Sequence, residues 1–164
     1  MNHPVKDPGQ EKKGKHLTLR KMTIIDIEGI LPIASTSVGN PWSKEMFLGE
    51  LAHPFSYTFI LYSQESSERE IPVGLICFRL IEWESELLNL CIHPHYRQKG
   101  LGRWLMKFYI DFCNRRGVKN YYLEVDPQNL PAVHLYQSFA FQEFGKRKNF
   151  YQGKQDALLM ERAF

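Results

Sequence analysis

Apolar residues recur along this chain with two periods, and each change of period marks an element. Residues 16–22 alternate, as do 55–62, where Tyr57, Phe59 and Leu61 oppose Thr58, Ile60 and Tyr62. That spacing predicts strands. Residues 71–81 read as a longer strand, with Pro72 and Gly74 marking an edge or a bulge. Residues 87–92 are an apolar run stopped by Pro94. The polar stretches 63–70 and 82–86 read as turns, so an antiparallel meander follows the first, edge strand. Helical spacing takes over at Ile24, Ile27, Leu31 and Ala34, behind Thr23 as cap and Asp26 for the dipole. Pro32 should bend or end that helix early. Ser43 is the N-cap of a second helix, where Trp42 can staple onto Phe47, and Met46, Phe47, Leu48 and Leu51 point inward or along a groove.

A third helix, 100–116, carries Leu101, Leu105, Phe108 and Phe112 as its core stripe and ends at Gly117. The strand at 119–125 follows that helical crossover, which predicts parallel pairing with the strand before it. Asn129 caps a helix through 131–139. Residues 141–151 and 156–162 are two final strands that turn at Gly153. The class is α/β: a mixed, largely antiparallel sheet of about seven strands with about four helices on its two faces. Residues 1–15, rich in lysine, proline and glycine, read as a flexible solvated arm before one domain at 16–164.

Composition removes several functions. A net charge of +3 without a basic stripe gives no reason to expect nucleic-acid binding. Cys77, Cys91 and Cys113 sit in apolar contexts without CxxC spacing, which points to inert thiols in a reducing compartment. His93 and His95 lack a second ligand pair, so no metal is expected. Without an apolar segment of membrane-spanning length or a signal core, we expect a cytoplasmic protein.

The chemistry gathers at Arg97-Gln-Lys-Gly100-Leu-Gly102-Arg103, between a strand and a helix. The first turn of that helix offers free N–H groups and the positive end of the macrodipole, and Gly100 and Gly102 leave room for a phosphate. The glycines could instead relieve a tight turn, and Lys99 and Arg103 could be solvated. A P-loop is excluded because Lys99 precedes the glycine; a dinucleotide fingerprint is excluded because Leu105 stands where its third glycine belongs.

This motif and order of elements resemble the GNAT acetyltransferase superfamily, whose Arg/Gln-x-x-Gly-x-Gly/Ala signature cradles the pyrophosphate of acetyl-CoA. Further matches run from about residue 17 to the C-terminus. They include Pro41-Trp-Ser with Phe47 and Glu50-Leu51, Asn89-Leu-Cys-Ile-His-Pro94, Leu123-Glu-Val with Asn129, Ala132 and Leu135-Tyr136, and Arg147 to Tyr151. These look like the RimI-type ribosomal-protein-alanine N-acetyltransferases, which acetylate the α-amine of a small-subunit ribosomal protein. The resemblance implies acetyl-CoA as cosubstrate, with backbone contacts to it from Leu90, Cys91 and Ile92. It implies pyrophosphate contacts from Arg97, Gln98, Lys99, Gly100, Leu101, Gly102 and Arg103. Asn129 would touch coenzyme A, Glu124 would be the general base and Tyr136 the general acid. Trp42, Phe47 and Tyr151 would line a peptide groove, or simply pack in the core.

Elementary chemistry agrees with those roles. An α-amine, with a pKa of about 8, is easier to deprotonate than a lysine near 10.4, by about 3.4 kcal/mol. One carboxylate suffices for that task. Glu124 lies among apolar residues near the C-terminal end of its strand, where open α/β sheets place ligands. Asn129 and Tyr136 are two turns apart on one helix face. Two alternatives remain: an acetyltransferase for a small amine or a lysine, and a non-catalytic acyl-CoA-binding module. Phe139-Ala140-Phe141 stands where the family has Leu-Gly-Phe, and alanine suits a left-handed helix stop poorly. Asp126-Pro127 and Pro131 stiffen the loop after Glu124.

Overall fold

The computed structural model describes residues 16–37, 39, 41–66, 69–151 and 155–163; the side chains of 65, 66 and 151 lie outside that description. The arm expected at 1–15, the turn at Gly153 and the side chain of Tyr151 therefore fall outside the described residues. Seven strands form one sheet: β1 (Leu17–Lys21), β2 (Ser56–Ser66), β3 (Arg69–Ile81), β4 (Glu84–Ile92), β5 (Asn120–Val125), β6 (Gln142–Tyr151) and β7 (Gln155–Ala163). Their order is β1-β2-β3-β4-β5-β7-β6. Only β4 and β5 pair in parallel, across the helical crossover; the other pairs are antiparallel.

Helices α1 (Ile27–Ala34) and α2 (Lys44–Ala52) lie on one face, α3 (Leu101–Asn114) and α4 (Leu130–Gln137) on the other. Each face has its own core. Leu105, Met106, Tyr109 and Cys113 of α3 meet Ile76, Phe78, Leu87 and Tyr121 of the sheet. Ile27, Ile30 and Ile33 of α1 meet Phe47, Ile60, Leu75 and Cys77.

Several expectations need correcting. The polar stretches 63–70 and 82–86 are mostly strand: β2 runs to Ser66, β3 starts at Arg69 and β4 starts at Glu84. Ladder pairing with the neighbouring strand outweighs side-chain polarity there. Ile24 is 65% exposed, because Thr23 and Asp26 cap a short 3-10 turn before α1 begins. The buried stripe of α1 is therefore Ile27, Ile30, Ile33 and Ala34. Along α3, Leu101, Phe108 and Phe112 are half-buried flanks, and the centre of the stripe is Leu105, Met106, Tyr109 and Cys113. Gly74 marks a close approach: a β-carbon there would lie 2.8 Å from Ile92 Cδ1 and 3.1 Å from the Cys91 carbonyl oxygen.

A second irregularity sets up the functional end of the sheet. The β3–β4 register passes from Cys77–Asn89 to Phe78–Leu87, which leaves Leu88 as an extra residue. Strict alternation would put Leu87 and Cys91 on the same face. With the bulge, Leu87 packs in the α3 core and Cys91 in the α1–α2 core.

Candidate active site

The pairing of β4 with β5 ends at Leu87–Leu123. Beyond it the strands part, and the outer edge of β4 from Leu88 to Ile92 has no strand partner on that side. Strand β4 then runs into a basic loop. Gln98 has φ +59° and Gly100 has φ +82°, and Gly100 is the N-cap of α3 with no side chain capping the helix. Successive amides in such a turn form an anion-binding concavity at the positive end of a 14-residue helix. A β-carbon on Gly102 would sit 3.3 Å from Leu135 Cδ2 of α4, so this position sets how closely α3 and α4 approach. An unpartnered strand edge leading into an uncapped helix start suits an extended chain ending in a pyrophosphate.

The basic side chains around this turn already have partners. Arg97 Nε donates to the Ile92 carbonyl at 3.0 Å, and its Nη2 donates to Thr36 Oγ1 at 2.8 Å. Lys99 Nζ donates to the His95 carbonyl at 2.8 Å, and Arg103 Nη2 donates to Ser138 Oγ at 3.0 Å. Arg97 thus ties the end of β4 to the chain following α1, and Arg103 ties α3 to α4.

Where β4 and β5 part, a cavity of about 310 Å³ opens between α2 on one face of the sheet and α4 on the other. Of the residues singled out from sequence, Glu124, Tyr136, Asn129, Leu90 and Trp42 line it together. Asn129 also caps α4, its Oδ1 accepting from the Ala132 amide at 3.4 Å. Tyr136 is buried, with its ring 6.1 Å from that of Phe141. Ser43 caps α2, and Trp42 packs on Phe47 with ring centroids 5.0 Å apart. Phe47 is wholly buried behind Trp42 and does not line the cavity. Cys91 is buried and bonds to Ser37 Oγ and to Asn89 Oδ1, so its thiol belongs to the wall. Burial pushes it above its ordinary range, and pushes Cys77 and Cys113 up to about 11.

The cavity is also strongly acidic, which the sequence did not reveal. Glu50, Glu86, Asp126 and Arg147 join Glu124 in its wall. Arg147 Nη1 donates to Glu124 Oε1 at 3.0 Å. Arg79 forms a two-pronged pair with Glu50, at 3.1 and 2.6 Å. Burial raises the Glu50 carboxyl, but Arg79 and the Ser56 hydroxyl outweigh it and leave the pKa below the ordinary value. Asp126 is buried and held by the Gln128 amide at 2.8 Å and Gln155 Nε2 at 2.6 Å. Glu86 differs from these: burial, then the charge of Glu124, raises its carboxyl. The signal for Glu86 was alternation with Leu88, hidden because 82–86 reads as a turn. No cluster of three metal-ligating side chains occurs among the described residues. No helix among them is long and apolar enough to cross a membrane.

Comparison with known proteins fits this geometry. The model of the acetyltransferase (GNAT) family matches residues 27–141. The ribosomal protein bS18-alanine N-acetyltransferase of Salmonella typhimurium is 29% identical over 146 residues, covering 87% of this chain and 95% of that protein. The crystal structure of the Escherichia coli ribosomal-protein-alanine N-acetyltransferase superposes with a TM-score of 0.78 at 28% identity, covering 90% of this chain and 94% of that one. Mutant forms of the spermidine/spermine N-acetyltransferase SpeG from Vibrio cholerae superpose with a TM-score of 0.68 at 25% identity, covering 90% and 95%. The chain belongs to the GNAT acetyltransferase family and is an acetyl-CoA-dependent N-acetyltransferase.

Proposed function

We propose that this enzyme acetylates the α-amine of a protein N-terminus, with an alanine-starting ribosomal protein as acceptor. The observation that carries the reading is the single cavity that brings Glu124 and Tyr136 together at the parting of β4 and β5. The names of the full-length relatives supply the acceptor class.

Bound acetyl-CoA supplies an acyl group activated as a thioester. The backbone of Leu90, Cys91 and Ile92, on the open edge of β4, binds the pantetheine and the acetyl carbonyl. The amides of 98–103 at the start of α3 hold the pyrophosphate, with Arg97, Lys99 and Arg103 as the surrounding cations, and Asn129 contacts the coenzyme from α4. Glu124 takes the proton from the incoming ammonium, while Arg147 fixes its carboxylate by the 3.0 Å bond. Tyr136 donates its phenolic proton to the departing sulfur. An α-ammonium is the acceptor that a single carboxylate deprotonates most easily, because its pKa of about 8 is the lowest among protein amines.

A second reading, a small polyamine as acceptor, is favoured by the four carboxylates in the cavity wall and by the likeness to SpeG. One assay separates the two. Acetyl-CoA is supplied with alanine-starting peptides, with the same peptides blocked at the N-terminus, or with spermidine, and thiol release is followed. Release with open but not blocked peptides is expected. Release with blocked peptides, or with spermidine alone, overturns the α-amine reading.

A further inference from the structure

A second cavity of about 400 Å³ opens on the α1–α2 face of the sheet. It shares Glu86 and Glu124 with the first, so the two adjoin at that pair of carboxylates. Its floor is apolar: Ile81, Tyr122, Phe144 and Leu159. Phe144 is 51% exposed, because α1 and α2 lie over β2, β3 and β4 and leave this stretch of β5, β7 and β6 uncovered, and Ile81, the last residue of β3, is 50% exposed. Trp83, in the adjoining turn, is exposed as well.

The rim is acidic although the chain carries a net +3. Glu84 and Glu86 line the cavity, and Glu161 lies close enough to Tyr122 that, after burial and Glu84, its charge raises the phenol. The nearby cations bond to other carboxylates, Arg79 to Glu50 and Arg147 to Glu124, and reach Glu86 only through space. The side chains of Glu84 and Glu86 form no hydrogen bond or ion pair among the described residues. An uncovered apolar floor beneath unpaired carboxylates suits an extended segment that combines apolar surface with positive charge.

We infer that the second cavity receives the acceptor polypeptide beyond its acetylated residue, and that Glu84 and Glu86 select a lysine or arginine there. The reach is suitable. Glu84 is level with Asn120 on β5, four residues before Glu124. That is ~13 Å at about 3.3 Å per residue. An acceptor with its α-amine at Glu124 therefore brings the side chain of its second, third or fourth residue to Glu84. This inference rests on the α-amine reading above.

The test is a peptide series with alanine first and arginine, glutamine or glutamate placed in turn at the second, third and fourth positions. Steady-state kcat/KM is measured for the wild-type chain and for Glu84→Gln and Glu84→Lys. Ratios between peptides within one variant cancel any difference in folded fraction. At one or more of the three positions, the wild-type chain should prefer arginine over glutamate by about tenfold, with glutamine between. The preference should shrink at high salt, weaken in Glu84→Gln and reverse in Glu84→Lys. Equal kcat/KM for the three side chains at every position overturns the inference and leaves the α-amine reading standing. So does an unchanged order in Glu84→Lys. If no peptide is acetylated at its α-amine, both fall together.

Discussion

The two sides of the cleft are assembled differently. In the proposed mechanism the donor side is one turn of chain: residues 97–103 follow β4 and open α3, and the groups it offers are mostly backbone amides. The proposed acceptor side gathers Glu50 from α2, Glu86 from β4, Glu124 from β5 and Arg147 from β6, and the groups it offers are charged side chains. A backbone site needs only local conformation, two positive φ angles and an uncapped helix. A side-chain site needs the sheet register to be right, because each carboxylate reaches the cavity through its strand's alternation. Donor and acceptor sides should therefore fail separately.

The largest separation is expected at Glu124. Glu124→Gln should lower kcat/KM for an alanine-starting peptide by about 10²- to 10³-fold at pH 7. The deficit should shrink toward pH 9, where more of an amine of pKa about 8 is already neutral. Acetyl-CoA affinity, measured by calorimetry, should not change. An equal fall in acetyl-CoA affinity would mean that the two sides are not independent. The converse change is Gly102→Val. Its β-carbon meets Leu135 at 3.3 Å, tighter than an ordinary contact, so the larger side chain forces α3 and α4 to shift beside the turn at 97–103. The KM for acetyl-CoA should rise about tenfold, a cost of about 1.4 kcal/mol, with little change in the peptide KM.

The same contrast explains what could be read from the sequence. The strand order around the parallel crossover, the capped start of α2 and the glycine turn before α3 all follow from local patterns, and all are present. Glu124, Asn129 and Tyr136 were legible as candidates, and they meet in one cavity. Glu86 was not legible, because the charges of 82–86 read as a turn although pairing with β3 and β5 makes β4 begin at Glu84. The bulge at Leu88 was hidden for a related reason. An apolar run broken only by Asn89 has no alternation whose break could be seen, and only the register with Cys77 and Phe78 exposes the extra residue. Glu50 and Arg79 lie far apart in sequence, so only the packing of α2 on the sheet reveals their pair.

That pair gives the next test, on stability. Glu50 is only 11% exposed and Arg79 34%, with two bonds between them. Arg79→Ala leaves the carboxylate without its cation and should cost about 1 kcal/mol at pH 7, after allowing for solvent in the cleft. The Tm should fall by about 2–4 °C. The pH dependence has a definite sign. The Glu50 carboxyl is held below its ordinary value in the folded chain. Its contribution is therefore complete above the ordinary carboxylate range and is lost as pH falls through the folded value. Thermal melts of wild type and variant should differ most at neutral pH and converge below about pH 4. A gap that stays constant down to pH 3 would mean that Arg79 acts through packing alone.

The smallest effect lies behind Tyr136. The end of α4 turns through Ala140 at φ +63°, a conformation that costs an L-residue about 1–2 kcal/mol. The neighbouring bonds show what holds it there. The Ala140 amide donates to the Gln137 carbonyl at 2.9 Å, and the Phe141 amide to the Tyr136 carbonyl at 3.2 Å. Phe141 is only 2% exposed and packs against Tyr121 and Tyr136. Burial of that one ring, about 2 kcal/mol or more, exceeds the strain at Ala140 and fixes the end of the helix that carries Tyr136. Glycine would remove the strain but would gain freedom in the unfolded chain. Ala140→Gly should therefore stabilise by about 0.5–1 kcal/mol, raising Tm by about 1–4 °C, with kcat unchanged. If Tm rises and kcat falls, the strained turn itself holds Tyr136 in its working position.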